Sequence, residues 1–370
     1  MNVLVTGAKG FIGSALCYKL SPDNKVIGVD IAKTHDDHAK ITWEQADLTD
    51  FNSAAAICEK YSPDVVIHCA GIAHQKIGTV SFDTYMRVNS EATENLAKAA
   101  AVSNPAVCFI FFSSVSVYGE GPQITQITQN KKDVSRKDDP QITQITRIKH
   151  TKTNNNAVDE DGECHPSSDY AVSKLDAERR LTALYDDGKL HNLVILRLAP
   201  VYDRYWSLNL DRRVFAPGKV AYLRFGSGSQ KMSALARSNL IEFVEFLITN
   251  KLATDTHRHI GRRKEKNTGV NIFNVCDVEP YEFNRIIGVF KKSGAHPNRS
   301  VISVPLLSVW VATRIAGIFF SSKREWIHSC YDKLASDLVF DNTKMISTGF
   351  RPQHSLETIF DPQISQINAD

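Results

Sequence analysis

Continuous runs of apolar and β-branched residues alternate with amphipathic stretches through the first half of the chain. A strand with one solvent face alternates apolar and polar residues, whereas an unbroken apolar run indicates a strand that is buried on both faces. Such strands, separated by helices, predict a doubly wound parallel sheet of the α/β class. The predicted strands are 2–6, 25–30, 41–46, 64–69, 106–113 and 192–198, and the predicted helices lie near 11–20, 51–61, 81–102 and 169–187.

The composition of the 370 residues excludes several other classes of protein. Hydrophobic residues make up 42% and charged residues 23%, which excludes a collagen, a mainly disordered chain and a polytopic membrane protein. Lys and Arg number 44 against 41 Asp and Glu, so no nucleic-acid partner is expected. The seven cysteines are scattered without a C-x-x-C pair, and the N-terminus has no signal-peptide pattern. We therefore expect a cytoplasmic protein without a structural metal site.

A glycine-rich turn lies between the first predicted strand and the first predicted helix. Without side chains, its backbone bends tightly and approaches a pyrophosphate, which the helix N-terminus attracts. Asp30 ends the next strand, 17 residues beyond the last glycine, where a carboxylate accepts hydrogen bonds from an adenosine ribose. This position favours NAD, and Lys33 nearby keeps NADP as an alternative. The predicted cofactor-binding residues of the turn are Gly7, Gly10, Phe11, Ile12 and Gly13.

Further cofactor-binding candidates follow the third and fourth strands. Asp47 and Leu48 are placed to address an adenine, and Ala70 and Gly71 are small residues where a nicotinamide ribose would pass. Asn89 lies on the long helix, where it is placed to join the helix to the sheet. Because ligands of parallel sheets bind at the carboxyl ends of the strands, we expect these residues to line one site.

Tyr170 and Lys174 stand four residues apart near the start of a predicted helix, so they share one helical face. An ammonium beside a phenol stabilises the phenolate, and we therefore expect the Tyr170 pKa to lie below its usual value of about 10. A tyrosine of this kind exchanges a proton near neutrality. A serine at the end of the fifth strand, among Ser113, Ser114 and Ser116, would hold the same substrate oxygen. This group of residues predicts hydride transfer with nicotinamide.

Together these motifs resemble the extended short-chain dehydrogenase/reductase superfamily, in its NAD-dependent epimerase/dehydratase family acting on nucleotide sugars. The segments 114–119 (Ser-Val-Ser-Val-Tyr-Gly) and 196–202 (Leu-Arg-Leu-Ala-Pro-Val-Tyr) add to the resemblance, which covers most of residues 1–360. It implies a Rossmann-type sheet with a smaller mixed α/β C-terminal substrate domain, and it leaves homodimers as an expectation. It also implies that Ser114 and Tyr170 are catalytic, and that Lys174 holds the nicotinamide ribose and tunes Tyr170.

The resemblance also bears on the reaction. Dehydratases of the family carry an Asp-Glu pair after the catalytic Ser or Thr, whereas this chain has Val115 and Ser116, so 4,6-dehydration is not expected. Hydride transfer at C4 of a sugar, with UDP as the expected nucleotide, remains. Residues 334–352 look like the 4-keto sugar reductases of surface polysaccharide synthesis, and reduction is the favoured reaction. A 4-epimerase with tightly bound NAD is the alternative, and a non-catalytic NAD-binding scaffold is a third.

The segment 226–240 resembles the part of the family's substrate domain in which a cation grips the diphosphate. Lys231 is the first candidate for this cation and Arg237 the second. With Ser114 and Tyr170, they complete the predicted substrate-binding residues.

The predicted domain boundaries follow from these assignments. Residues 1–200 form the NAD(P)-binding domain, residues 201–360 the substrate domain with interleaved contributions, and residues 361–370 a tail. Residues 120–165 are polar and contain two copies of a Gln-Ile-Thr repeat, whose third copy at 362–367 has Gln-Ile-Ser instead. This composition predicts a mostly disordered surface insertion. A lid over the active site is the alternative for this insertion.

Residues 301–320 form the most apolar stretch of the chain, close to the length of a membrane span. Arg314 near its middle argues against a span. We expect a helix buried in the core, with peripheral contact to a membrane surface as the alternative.

Overall fold

The structure is a computed structural model. It describes residues 1–33, 40–73, 79–119, 157–250, 270–320, 327, 331 and 334–361.

A seven-stranded parallel sheet forms the centre of the molecule. Its strands are β1 (Asn2–Thr6), β2 (Lys25–Asp30), β3 (Ile41–Gln45), β4 (Val65–His68), β5 (Cys108–Ser114), β6 (Asn192–Leu198) and β11 (Asn271–Val275). They lie in the order β3-β2-β1-β4-β5-β6-β11, which confirms the predicted doubly wound sheet. Shorter strands are β7 (Val201–Tyr202), β8 (Tyr222–Phe225), β9 (Lys231–Met232), β10 (Leu235–Ala236), β12 (Tyr281–Glu282) and β13 (Val301–Val304).

Helices cover both faces of this sheet. Val3 and Val5 pack in one hydrophobic cluster with α1 and α7, whereas Leu4 packs in another with α2, α4 and α5. Because both faces are buried, the strands read as unbroken apolar runs. The helices are α1 (Gly13–Leu20), α2 (Phe51–Tyr61), α3 (Phe82–Met86), α4 (Ala92–Ser103), α5 (Asp169–Asp186), α6 (Leu208–Val214), α7 (Arg237–Thr249), α8 (Phe283–Lys292), α9 (Leu306–Phe319), α10 (Thr343–Ser347) and α11 (Leu356–Phe360).

A second, smaller core is built from the C-terminal half of the chain. It holds buried aromatic residues from β7, β8, α8 and α11, among them Tyr202, Tyr222, Phe290 and Phe360. Around it, β7 pairs with β10, β9 with β12, and β8 with β13. The strand β11, by contrast, pairs in parallel with β6 at the edge of the main sheet. The sequence analysis did not predict β11, because no regular alternation of strands and helices surrounds it.

The C-terminal end of the predicted insertion is ordered and packed. The Val158 amide donates to the Val339 carbonyl at 3.0 Å, and the Asp341 amide donates to the Val158 carbonyl at 2.8 Å. Residues 157–165 of the predicted insertion therefore pack on the rest of the chain, and Val158 forms a bridge with Phe340. Residues 120–156 with their two Gln-Ile-Thr repeats, and the third repeat at 362–367, lie outside the described residues.

The apolar stretch 301–320 forms β13 and α9, and the prediction that it is a core helix is wrong. Gly317 alone is buried in α9, whereas Ile318 and Phe319 are each 78% exposed. An apolar sequence predicts a helix whose side chains favour burial, but the packing of the whole chain determines whether other residues of the protein bury them. Within the described part of the chain, no helix combines the length and apolar character that crossing a membrane requires.

Candidate functional site

The glycine-rich turn connects β1 to α1 and allows close approaches that side chains would block. Gly7 has a φ of +64°, in the left-handed region that favours glycine, and a Cβ there would lie 2.9 Å from Ala70. A Cβ on Gly13 would lie 2.2 Å from the Gly7 carbonyl oxygen. No side chain hydrogen-bonds to the N-terminus of α1 among the described residues. The Ser14 amide donates to the Gly10 carbonyl at 3.1 Å, and the N-terminus of α1 keeps the partial positive charge that attracts an anion such as a pyrophosphate.

Asp30 lies at the carboxyl end of β2, beside this turn. Its two carboxylate oxygens accept from the backbone amides of Lys9 at 3.0 Å and Ala32 at 3.1 Å. These bonds orient the carboxylate and leave lone pairs for further donors such as ribose hydroxyls. Asp47 accepts from the amide and hydroxyl of Thr49 at 2.9 and 2.8 Å. The turn and both carboxylates fit a dinucleotide of the NAD type.

A buried histidine joins the ends of β1 and β4 to α4. His68 is fully buried, with Nδ1 2.7 Å from Thr6 Oγ1 and Nε2 2.9 Å from Thr93 Oγ1. Because Thr93 Oγ1 donates to the Asn89 carbonyl at 2.8 Å, it accepts from His68 Nε2–H. Nδ1 then accepts from Thr6, whose oxygen in turn accepts from the Ala70 amide at 3.3 Å. The neutral ring is thus bonded at both nitrogens.

Asn89 extends this chain of hydrogen bonds to α5. It lies in a π-helical turn, Arg87–Glu91, between α3 and α4. Its side chain accepts from the Ile72 amide at 2.7 Å and donates to the Ile72 carbonyl and to Ser173 Oγ, each at 3.0 Å. Ser173 Oγ donates to the Tyr170 carbonyl at 2.8 Å. Asn89 was predicted to link the sheet to a helix. Its hydrogen bonds join the segment that follows β4 to α5, the helix that carries Tyr170.

The pKa of His68 gives a testable pH dependence. Burial, and secondarily the charge of Lys174, lower the pKa of His68 from 6.5 to about 3. Below about pH 6.5 the His68 ring binds a proton in the unfolded chain but stays neutral in the folded protein. The free energy of unfolding therefore falls with falling pH. We expect His68→Gln to flatten this dependence between about pH 7 and pH 5 in urea unfolding, although the loss of bonds lowers its stability at pH 7. The exposed His191→Gln is the matched control, and an unchanged slope in His68→Gln would contradict the assignment.

The helix α5 presents three functional side chains on one face. It begins at Asp169 because Ser168 caps it, accepting from the Ala171 amide at 3.3 Å. Tyr170, Lys174 and Glu178 follow at intervals of four residues, which keeps them on the same face. This face lies against the carboxyl end of β5.

Ser114, Tyr170 and Lys174 come together there. Ser114 lies close enough to the Tyr170 phenol to lower its pKa. The amide and hydroxyl of Ser116 donate to Ser114 Oγ at 3.2 and 2.9 Å, so the Ser114 hydroxyl keeps its own proton to donate. Lys174 is 5% exposed, and its Nζ donates to the Phe112 carbonyl at 2.9 Å. The three residues predicted as catalytic therefore form one cluster.

The pKa of Tyr170 shifts in the direction opposite to the prediction. Burial raises the pKa of the Tyr170 phenol, the Ser114 hydrogen bond lowers it, and the nearby Tyr85 raises it. Burial also lowers the pKa of Lys174 to about 8. The prediction assumed that the ammonium would dominate, whereas Lys174 Nζ is turned toward the main chain of β5 and desolvation outweighs it.

A buried ion pair that the sequence analysis did not identify lies behind this cluster. Arg197 Nη2 lies 2.7 Å from Glu178 Oε2, with both side chains about 5% exposed. Ser113 Oγ donates to Glu178, and Arg197 Nη1 donates to the Tyr118 hydroxyl at 2.8 Å. Tyr118 in turn donates to Asn274 Oδ1 at 2.7 Å. The network joins α5 to β5, β6 and β11. The predicted motifs contained Arg197 and Tyr118, but no pattern indicated that these two residues bond to each other or that Glu178 pairs with Arg197.

The two basic residues that are predicted to bind the diphosphate lie in different surroundings. Lys231 is exposed on β9, where its amide donates to Asp337 at 2.8 Å. Arg237 contacts the glycine-rich turn instead, because its Nη1 donates to the Phe11 carbonyl at 3.0 Å and its guanidinium stacks on the Phe11 ring. It also forms an ion pair with Asp203 at 2.6 Å. Asp203 thus supplies the acidic partner of the Arg237 guanidinium.

Comparison with known proteins gives related sequences and folds. The model of the NAD-dependent epimerase/dehydratase family matches residues 3–141. A UDP-glucose 4-epimerase of Vibrio cholerae is 29% identical over 69% of this chain and 68% of its own length. An N-acetyl-alpha-D-glucosaminyl-diphospho-ditrans,octacis-undecaprenol 4-epimerase of Escherichia coli O157:H7 is 23% identical over 96% and 92%. The crystal structure of a UDP-glucuronic acid 4-epimerase from Bacillus cereus, in complex with NAD, superposes with a TM-score of 0.61 at 20% identity, covering 99% of each chain.

Proposed function

We infer from the family model that matches residues 3–141 and from the related sequences that this chain belongs to the NAD-dependent epimerase/dehydratase family, and we propose that it transfers a hydride at C4 of a nucleotide sugar, with UDP as the expected nucleotide. The observation that carries the proposal is the cluster of Ser114, Tyr170 and Lys174 beside the glycine-rich turn. A Cβ on Gly71, which follows β4, would lie 3.4 Å from Lys174 Nζ and 2.9 Å from Asn89 Oδ1. The proton-transfer residues and the cofactor-binding residues therefore meet at one end of the sheet.

Each residue of the cluster has a distinct part in the proposed reaction. NAD, when bound, supplies the acceptor and donor of the hydride. The Tyr170 phenolate takes the proton of the C4 hydroxyl during oxidation, and the resulting phenol returns it during reduction. Ser114 holds the same sugar oxygen by donating its hydroxyl proton to it. Lys174 is placed to bond a ribose hydroxyl, and Asp30 would accept from the adenosine ribose.

Epimerisation at C4 is the better supported reaction. Both curated relatives described above are named as 4-epimerases, and one of them aligns over 96% of this chain. An epimerase oxidises C4, lets the keto sugar turn and returns the hydride to its other face. Reduction of a 4-keto 6-deoxy sugar for surface polysaccharide is the second candidate, because residues 334–352 resemble such reductases. In addition, many hexose epimerases have an Arg-x-Gly-Asp segment near the C-terminus, and this sequence contains none.

The cofactor released from freshly purified, denatured protein tests the choice between these reactions. We expect one NAD per chain and interconversion of UDP-hexose C4 epimers without added cofactor. An empty protein that consumes NADH or NADPH with a 4-keto nucleotide sugar would instead establish the reductase. Protein that binds no dinucleotide and turns over neither substrate would contradict both and favour the scaffold. Preference for NADPH over NADH would contradict the role given to Asp30.

The cellular setting and assembly are part of the proposal. Six cysteines in the described residues are free thiols, and burial raises the pKa of Cys17 and of Cys58 to about 12. Unreactive free thiols suit a reducing compartment such as the cytoplasm. We also propose a homodimer, which size-exclusion chromatography with light scattering would test.

A further inference from the structure

The helix α9 combines an apolar sequence with an exposed surface. Leu307 is 71% exposed, and Ile318 and Phe319 are 78% exposed. A helix that is apolar on all sides is normally buried, and a large exposed apolar patch marks a docking surface. No other described residue covers these side chains. With 14 residues, α9 is shorter than the about 20 residues that crossing a bilayer requires. Its surface therefore fits contact with a membrane rather than insertion across it.

The charge of the surrounding chain identifies the kind of surface that it fits. The described residues 291–320 contain four Lys or Arg residues and no Asp or Glu, in a protein whose total charge is only +3. Arg314 is exposed on α9 and lies 5.4 Å from the ring of Trp310, a residue type that is enriched at membrane interfaces. Arg224 donates to Ser303 on β13 at 2.6 Å, directly before α9. This one-sided positive charge is complementary to anionic lipid head groups.

The position of α9 relates the apolar surface to the proposed substrate site. The Gly226 amide donates to the Val304 carbonyl at 2.9 Å, at the junction of β13 and α9. Gly226 has a φ of +58°, and a Cβ on it would lie 3.0 Å from Leu306 Cδ1. The first residue of α9 thus packs on the turn that begins the segment proposed to hold the diphosphate. A membrane contacted by α9 would lie beside this segment.

We propose that α9 and β13 form a docking surface for an anionic lipid bilayer. The apolar side chains enter the head-group region, and Arg314 and the neighbouring basic residues pair with lipid phosphates. Two signals of this kind give reversible peripheral binding. The relation to the diphosphate segment rests on the proposed function, but the docking itself does not.

Flotation of the full-length protein with vesicles tests the proposal without substrate. We expect binding to vesicles of phosphatidylethanolamine with phosphatidylglycerol, weakened by salt, and much weaker binding to pure phosphatidylcholine. The double variant Ile318→Ser/Phe319→Ser should bind at least about tenfold more weakly, and Arg314→Gln several-fold more weakly. Matched controls are Val102→Ser, an apolar residue 84% exposed on α4, and the exposed Arg212→Gln, both of which should bind like the wild type.

Three outcomes would overturn the docking surface. The first is a wild-type protein that does not float with anionic vesicles, and the second is a double variant that floats as well as the wild type. The third is a wild-type oligomer that dissociates in the double variant while lipid binding stays unchanged, since a second copy of the chain would then cover α9. NAD content and turnover of a soluble nucleotide sugar, measured on the same samples, would show separately whether the proposed reaction holds.

Discussion

Replacing Tyr170 by Phe is expected to lower kcat by about 10²–10⁴-fold, the usual contribution of general acid–base catalysis. The change removes the phenolic oxygen that is proposed to exchange the proton and keeps the aromatic ring. Cofactor binding should persist, because the glycine-rich turn and Asp30 do not contact the phenol. The measurement is a steady-state rate with the substrate identified by product analysis, together with the NAD content of the purified variant.

Tyr85→Phe is the matched control for this variant. Tyr85 lies close enough to Tyr170 to raise its pKa, yet it is not part of the cluster with Ser114 and Lys174. Its loss should leave the rate within a few-fold of the wild type and move the basic limb of the pH–rate profile slightly to lower pH, since one source of the raised Tyr170 pKa is removed. Near-normal turnover in Tyr170→Phe would eliminate this residue as the proton carrier.

Replacing Arg197 by Met is expected to cost about 3–5 kcal/mol of the free energy of unfolding. The substitution keeps an apolar side chain of similar length but leaves the Glu178 carboxylate buried without its cation. Tyr118 also loses a donor, and the loss spreads to the contacts of α5 with β5 and β6. Urea unfolding at pH 7 measures the change.

A second variant separates the buried charge from the loss of packing. In the double variant Arg197→Met/Glu178→Leu no unpaired charge remains, and we expect it to recover a large part of the lost stability. Lys189→Met removes one partner of an exposed ion pair with Asp187, in which the side chains are 65% and 58% exposed, and should change stability by less than about 1 kcal/mol. Equal stability of Arg197→Met and the wild type would disprove the structural role of the pair.

The two predictions concern successive turns on the same face of α5. Tyr170 and Lys174 lie at the candidate site, whereas Glu178, one turn further along α5, anchors the helix on the sheet. If the anchor positions Tyr170, a folded variant such as the double Arg197→Met/Glu178→Leu should lose kcat more than it changes KM. A variant with unchanged kcat would restrict the ion pair to a role in stability.

The sequence alone determined the main sheet and the cofactor-binding turn of this protein. The strands β1 to β6 were predicted within two residues at each end, because a strand buried on both faces imposes its apolar run locally. The positions of Gly7 and Gly13 in the turn after β1 and of Asp30 at the end of β2 were also predictable, since the turn requires glycine for steric reasons and the apolar run of the second strand ends at the aspartate. The motif Tyr170–Lys174 was recognisable because four-residue spacing places two side chains on one helical face.

Only the tertiary structure decided which partners these residues meet. Glu178 pairs with Arg197, Arg237 contacts the glycine-rich turn, and His68 is bonded between Thr6 and Thr93, all of which depend on the order in which the strands assemble. The direction of the Tyr170 pKa shift likewise depends on burial, which no local pattern encodes. The exposure of α9 is the clearest case. Its composition required an apolar environment, but the sequence could not tell whether that environment lies inside the protein, because burial is a property of the whole packed chain.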